Sequence, residues 1–352
     1  MILPVAPRLL IVRTDRIGDL ILSTPVFRTL RAQFPGAYLA AMIRPEHREL
    51  VDGNPDLNAV IPYDKSGSEK SWIGTVRFAQ RLKRDRFDAA VILHSTNRTV
   101  LATWLAGIPR RIGYARRLGR LLTDPIPYVK RFGLRHELEY NLDLLARLGV
   151  TRRERILTVP VPPAREAEAG RWLKERGIAP GERFVVLHPG ASCPSKRWPA
   201  ERFAETADRL ARDFKVRVLL LTGPDGLADG RAVAARVSAP LIEALGGFSL
   251  GQTAAVLKRA ACLVSNDSGP VHLASAVGTP VVSIFGRWGG GLSPARWGPT
   301  GPESRVLHRD VGCRPCLAHR CPIGFVCLSA ISVEEVLTAA GQVGKLHPSG
   351  TP

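Results

Sequence analysis

Short β-rich runs alternate with helix-length amphipathic segments along the whole 352-residue chain. That alternation confines it to α/β architecture, with helices covering parallel sheets. In the first half the expected strands are Leu9 to Arg13, Tyr38 to Ile43, Ala59 to Pro62, Ala89 to Leu93 and Arg111 to Tyr114. In the second half they are Phe184 to His188, Val216 to Leu221, Leu241 to Glu243, Cys262 to Ser265 and Val281 to Phe285, with helices near 199–213, 226–238, 250–260 and 268–277. Between the halves, Leu157 to Pro163 carries three prolines and favours an extended connector. The boundary is therefore placed there, giving two Rossmann-like, doubly wound domains, 1–160 and 161–352, with the C-terminal segment able to pack back on the first. Two such domains would place a cleft between the carboxyl ends of two sheets, where open α/β sheets bind ligands.

The longest apolar runs, such as Val216 to Leu221, are far shorter than the ~18 to 20 residues that span a bilayer. The N-terminus meets Arg8 and Arg13 before an apolar signal region can form. A cytoplasmic location is expected. The charge of +19 comes from 50 basic and 31 acidic side chains, and residues 1–160 hold 27 of the basic against 15 of the acidic. Within 108–135, Arg110, Arg111, Arg116, Arg117, Arg120, Lys130, Arg131 and Arg135 face a lone acid, Asp124. Such density suits an anionic partner, whether nucleic acid, lipid headgroup or small substrate, and suits equally a solvated Arg-rich surface.

Three segments carry chemistry. The first strand runs through Arg13-Thr-Asp-Arg-Ile-Gly-Asp19 into an amphipathic helix expected from Leu20 to Phe34. Both the dinucleotide G-x-G-x-x-G and the phosphate-binding G-x-x-x-x-G-K-[ST] patterns are missing there. Asp19 is the residue of interest, a polar group set at a sheet's carboxyl edge, and reads equally as a helix cap or first-turn acid. The second segment, His188 to Pro199, is a strand breaking into a loop of small residues, with Lys196 able to meet an anion or to form a solvated pair with Arg197. In the third, a strand ends at Asn266-Asp267-Ser268-Gly269, where a helix start offers N–H groups to a phosphate. Asp267 would then orient a neighbour or cap the helix, and His272 would donate to a phosphate oxygen or pack in the core. The serine-hydrolase elbow is absent. So is any Asp-x-Asp, leaving Lys, Arg and helix N-termini to neutralise a diphosphate.

These three segments, in this order and spanning about residues 8 to 341, resemble family 9 of the glycosyltransferases, the heptosyltransferases of the lipopolysaccharide inner core. The resemblance implies a GT-B fold, with the acceptor bound mainly by the first domain and ADP-heptose by the second. It implies Asp19 as catalytic base, Lys196 on the donor phosphates, and Asp267, Ser268, Gly269 and His272 as the nucleotide-diphosphate element. Ser192 and Asp225 take further donor positions, Asp225 toward the ribose hydroxyls. The reaction implied is an inverting, metal-independent transfer of heptose to an anionic lipid A-core acceptor, with peripheral contact at the inner membrane and no nucleic acid. A family member using another nucleotide sugar or acceptor, and a non-catalytic anion-binding or nucleic-acid-binding protein, are the alternatives.

Four cysteines, Cys313, Cys316, Cys321 and Cys327, resemble the cluster of the branch that adds the second heptose. Their spacing, with His319 among them, is open to structural zinc, a disulfide or plain thiols, and no cofactor is expected. Cys193 and Cys262 are expected to pack. For the transfer itself, an ordinary carboxylate near pH 3.9 is a weak base for an alcohol, and a helix N-terminus is expected to weaken Asp19 further. Beside the arginines, Trp104, Leu105, Tyr114, Leu121 and Leu122 read either as a membrane-facing set or as core.

Overall fold

Strands of almost continuous apolar sequence, buried on both faces, form two all-parallel sheets. A computed structural model describes residues 3–301, 303–313, 315–317 and 319–348. The chain divides into two compact units, Met1–Pro160 and Val161–Pro352. In the first, β1 (Arg8–Arg13), β2 (Tyr38–Ile43), β3 (Ala59–Pro62), β4 (Ala89–Ile92), β5 (Arg110–Tyr114) and β6 (Asp124–Ile126) are ordered β3-β2-β1-β4-β5-β6. In the second, β7 (Phe184–His188), β8 (Arg217–Thr222), β9 (Leu241–Leu245), β10 (Cys262–Asn266), β11 (Val281–Phe285) and β12 (Arg305–His308) are ordered β12-β11-β10-β7-β8-β9. Strand order reverses at β1/β4 in one sheet and at β7/β10 in the other, which marks where loops part to leave a crevice at the carboxyl edge.

The first unit's helices are α1 (Ile17–Ile21), α2 (Thr24–Gln33), α3 (Trp72–Lys83), α4 (Asn97–Leu105) and α5 (Glu137–Asp143). The second unit's are α6 (Pro163–Glu175), α7 (Ala200–Asp213), α8 (Leu227–Ala234), α9 (Leu250–Leu257), α10 (Gly269–Ala276), α11 (Pro294–Trp297), α12 (Val326–Ser329) and α13 (Val333–Gly344). Leu10, Val12, Met42, Ile92 and Phe78 anchor one core, and Val185, Leu187, Phe203, Val264 and Ile284 the other. The terminal helix α13, started by a Ser332/Glu335 capping box, buries Val336, Leu337, Ala340 and Val343 in the second unit's own core. It packs there on α7, β10, β11 and β12.

The helix expected from Leu20 to Phe34 is two helices. Ser23 Oγ donates to the Asp19 carbonyl at 2.7 Å and Thr24 Oγ1 to that of Ile21 at 2.8 Å, closing α1, while Pro25 sits in the first turn of α2 where its missing N–H costs nothing. Before Pro160 the connector is fastened to its own unit, with Leu157 and Val159 buried and the Thr158 N–H donating to Thr24 Oγ1 at 3.0 Å.

Candidate active site

In the first unit the chemistry gathers where β1 ends. Arg13, its last residue, turns its side chain inward and is only 2% exposed. A buried guanidinium must be paired on every side. Here Nε lies 2.8 Å from Asp15 Oδ1, Nη2 donates to Asp19 Oδ1 and, at 3.2 Å, to Glu137 Oε1, and Nη1 donates to Asn141 Oδ1 at 3.1 Å. Lys130 enters the same cluster from the far side, donating to Glu137 Oε1 at 2.6 Å and to Asn141 Oδ1 at 3.1 Å. The Asn141 amide is oriented in turn by donating to the Leu22 carbonyl at 3.1 Å.

Asp19 is the third residue of α1. The position before the helix belongs to Arg16, so Asp19 is a first-turn acid and its carboxylate is committed to Arg13. Sequence reasoning expected the helix terminus to weaken it as a base. Burial and the neighbouring Asp15 charge outweigh Arg13 and push its pKa up to about 6. Nearby, burial lowers His94 and His47 to about 4. Lys65 Nζ donates to the Thr14 carbonyl at 2.8 Å, bracing the loop after β1.

In the second unit the loop after β7 and the ends of β10 and β11 meet. Lys196 is buried in a turn, its Nζ 2.9 Å from Asp267 Oδ2 and 3.0 Å from the Asp267 carbonyl. It is no solvated pair with Arg197, which is exposed and pairs instead with Asp229 at 3.2 Å. Burial pulls the Lys196 ammonium below the usual lysine range against the opposing pull of Asp267. Arg287, just past β11, donates to the same Asp267 oxygen at 2.9 Å. Asp267 thus orients two cations, while Ser268 occupies the helix cap position. The Ser268 hydroxyl does not cap; it lies 3.0 Å from Ser265 Oγ and 3.3 Å from His188 Nδ1. Burial lowers His188 to about 4, so this imidazole is neutral. Pro270 removes one N–H from the start of α10, and the Val271 N–H is taken by the Ser268 carbonyl at 3.2 Å. The terminus offers fewer donors than the sequence promised, and Gly269 leads it. His272 is buried on α10.

The loop is held by Asn266, whose amide donates to the Pro189 carbonyl at 2.7 Å and accepts from the Trp198 N–H at 3.1 Å. Trp198 packs edge-on against Phe203. Ser192 and Asp225 are both exposed, outside this buried cluster. The carboxylate that reaches the loop is Asp229, accepting from the Ala191 N–H at 3.4 Å. Arg13, Asp15, Glu137 and Arg287 were missed in sequence. For Arg287 the available signal was a basic residue just beyond a buried strand, beside two others of its kind.

The four clustered cysteines line an apolar cavity of about 230 Å³ with Trp288, Phe325 and Ile323. His319 Nδ1 lies 3.4 Å from Ser195 Oγ, and among the described residues no three His, Cys, Asp or Glu side chains are disposed to hold a metal ion. Cys262 is fully buried, its thiol pushed up to about 12, whereas Cys193 is half-buried near Ser195. Gly286, between β11 and Arg287, admits no side chain. A Cβ there would stand 2.7 Å from both Leu328 and the Ser195 carbonyl.

The basic stretch divides by role. Arg110 pairs with Asp124 and donates to the Arg147 carbonyl, and Arg111 donates to the carbonyls of Leu121 and Ile108, so both serve the fold. Arg116, Arg117, Arg120 and Arg131 are exposed. Of the apolar set beside them, Tyr114 and Leu122 are buried, Leu105 and Leu121 pack against the core, and Trp104 is exposed. Among the described residues no helix is long and apolar enough to cross a membrane.

Two Rossmann-like parallel-sheet units, each with a charged cluster at its switch point, define the GT-B class of nucleotide-sugar glycosyltransferases. The glycosyltransferase family 9 (heptosyltransferase) profile matches residues 75–326, and the chain belongs to that family. It is similar to lipopolysaccharide heptosyltransferase 3 of Escherichia coli (27% identical, covering 76% of this chain and 80% of that one). It is also similar to lipopolysaccharide heptosyltransferase 2 of Escherichia coli strain K12 (26%, covering 87% and 89%). The crystal structure of a family 9 glycosyl transferase from Veillonella parvula superposes with a TM-score of 0.85 at 25% identity, covering 98% of this chain and 99% of that one.

Proposed function

We propose that this glycosyltransferase moves heptose from ADP-heptose to a hydroxyl of the lipopolysaccharide inner core, with inversion and without a resident metal. The observation that carries this reading is the Lys196–Asp267–Arg287 cluster beside the start of α10, two buried cations held at one sheet edge by a single carboxylate. A diphosphate arriving there meets positive charge already ordered and partly desolvated, the condition under which it stabilises a leaving group best.

In the transfer, the acceptor oxygen attacks the anomeric carbon as the bond from that carbon to the diphosphate oxygen breaks. ADP leaves with the electron pair, and Asp19 takes the hydroxyl proton. A carboxylate near 6 is a stronger base than an ordinary one and remains mostly ionised at pH 7. General-base catalysis contributes about 10² to 10⁴-fold, and positioning and leaving-group stabilisation supply the rest. Exposed Arg116, Arg117, Arg120 and Arg131 would meet the phosphates of the lipid A-core acceptor at the cytoplasmic face of the inner membrane.

The test is a melting and hydrolysis panel of ADP-, UDP- and GDP-sugars with and without EDTA. ADP-heptose should give the largest melting shift and transfer should persist in chelator. A preference for UDP- or GDP-sugars, or loss of transfer in EDTA restored by magnesium, overturns the reading.

A further inference from the structure

The cluster beneath Asp19 is larger than a base needs. It contains two cations, Arg13 and Lys130, and three carboxylates, Asp15, Asp19 and Glu137, joined by direct contacts. With all five ionised, one negative charge is in excess. Glu137 is 1% exposed, whereas Asp19 and Asp15 are 14% and 18% exposed. Glu137 thus sits at the closed end, where its charge is screened least by water. It lies on α5, 124 residues from Arg13 in sequence, and a single oxygen, Oε1, receives both Arg13 and Lys130.

Resting on the reading of Asp19 as the base, we propose that Glu137 is a positioning residue for it. Glu137 fixes the Arg13 guanidinium against Asp19, and its own negative charge makes Asp19 hold its proton more tightly. Asn141 completes the seat, since its amide is locked by Leu22 and presents its oxygen to Arg13 and Lys130. The arrangement solves a chemical conflict. Arg13 alone would stabilise the carboxylate and make a poor base, and Glu137 takes part of that guanidinium's charge while adding repulsion of its own.

The charged groups around Asp19 are Arg13 from β1, Asp15 from the loop after it and Glu137 from α5, with Lys130 behind Glu137 and, more distantly, Lys65, His47 and His94. Both imidazoles are neutral above about pH 5, so neither accounts for a titration between 5 and 7.

The experiment is a carboxyl ¹³C NMR titration of the full chain labelled at aspartate, with the Asp19 signal assigned by its loss in Asp19→Asn. The expected wild-type midpoint is near 6. Glu137→Gln should lower it by roughly one unit, and Glu137→Asp, which keeps the charge, should leave it within a few tenths. The acid limb of the kcat–pH profile should move with the midpoint while ADP binding holds. A folded Glu137→Gln protein with an unmoved midpoint and only a lowered Tm overturns the proposal. If Glu137→Gln does not fold, Asp15→Asn carries the same sign, and an unmoved midpoint there overturns the charge accounting. The base reading fails separately: Asp19→Asn turning over at near wild-type rate removes it, while the Glu137-dependent midpoint would still stand.

Discussion

Asp19 and Lys196 are charged residues whose neighbours decide their work. Because the Asp19 pKa is raised on folding, its ionised form disfavours the folded state. That penalty is fully present above about pH 6 and disappears as the pH falls toward the ordinary carboxylate value near 3.9. Asp19→Asn should therefore raise Tm relative to wild type at pH 7, the gap closing by pH 4 to 5, while kcat falls by on the order of 10² or more. Thermal melts across pH together with turnover check both parts. In the other unit, Lys196→Met should weaken ADP binding about 10- to 100-fold, the worth of a charge-assisted hydrogen bond, and calorimetry with ADP measures it. Asp19, Lys196 and Asp267 stood out in sequence because each lies in the loop or first turn that follows an apolar strand, a local signal. Glu137 and Arg287 were not, since what makes them matter is a partner 124 or 20 residues away. Ser192 and Asp225, which the resemblance set at the donor, lie exposed in the folded chain.

Among the elements, the central strands and the edge strands β3 and β9 were legible, and the edge strands β6 and β12 were not. β6 contains Pro125, which a sequence reading counts against a strand, yet an edge strand tolerates proline because one side of it has no ladder to complete. β12 is four residues long and starts on an exposed Arg305. The link from β5 to β6 is stitched by Arg111, which reaches the carbonyls of Leu121 and Ile108. Arg111→Ala should cost about 1 kcal/mol or more in denaturant unfolding. Arg117→Ala and Arg120→Ala, both exposed, should stay within ~0.5 kcal/mol. This divides a run of basic residues that looked uniform. The split of α1 from α2 escaped notice for a related reason: apolar spacing continues across the break, and Pro25 with the hydroxyls of Ser23 and Thr24 stops the first helix.

At the scale of the whole molecule, a charge of +19 with its excess in the first unit makes any anionic partner salt-sensitive. Replacing Arg116, Arg117 and Arg120 together with Glu should raise the acceptor KM and weaken binding to anionic vesicles, most at low ionic strength, with ADP affinity unchanged. Acceptor kinetics and vesicle sedimentation at two salt concentrations check it, and unchanged values would return these arginines to solvation alone.

The closeness of Gly286 to Leu328 and Ser195 has a meaning for recombination. Relatives near 26% identity invite chimaeras in which the cysteine-bearing segment is exchanged as a cassette. Position 286 and the segment carrying Leu328 are one inherited unit, because a donor segment shaped around a larger residue leaves a hole here and a residue larger than glycine collides. Crossovers that separate them should express poorly or melt low, and those that keep them together should behave like a parent. Pairwise swaps scored by soluble yield and Tm would reveal that seam.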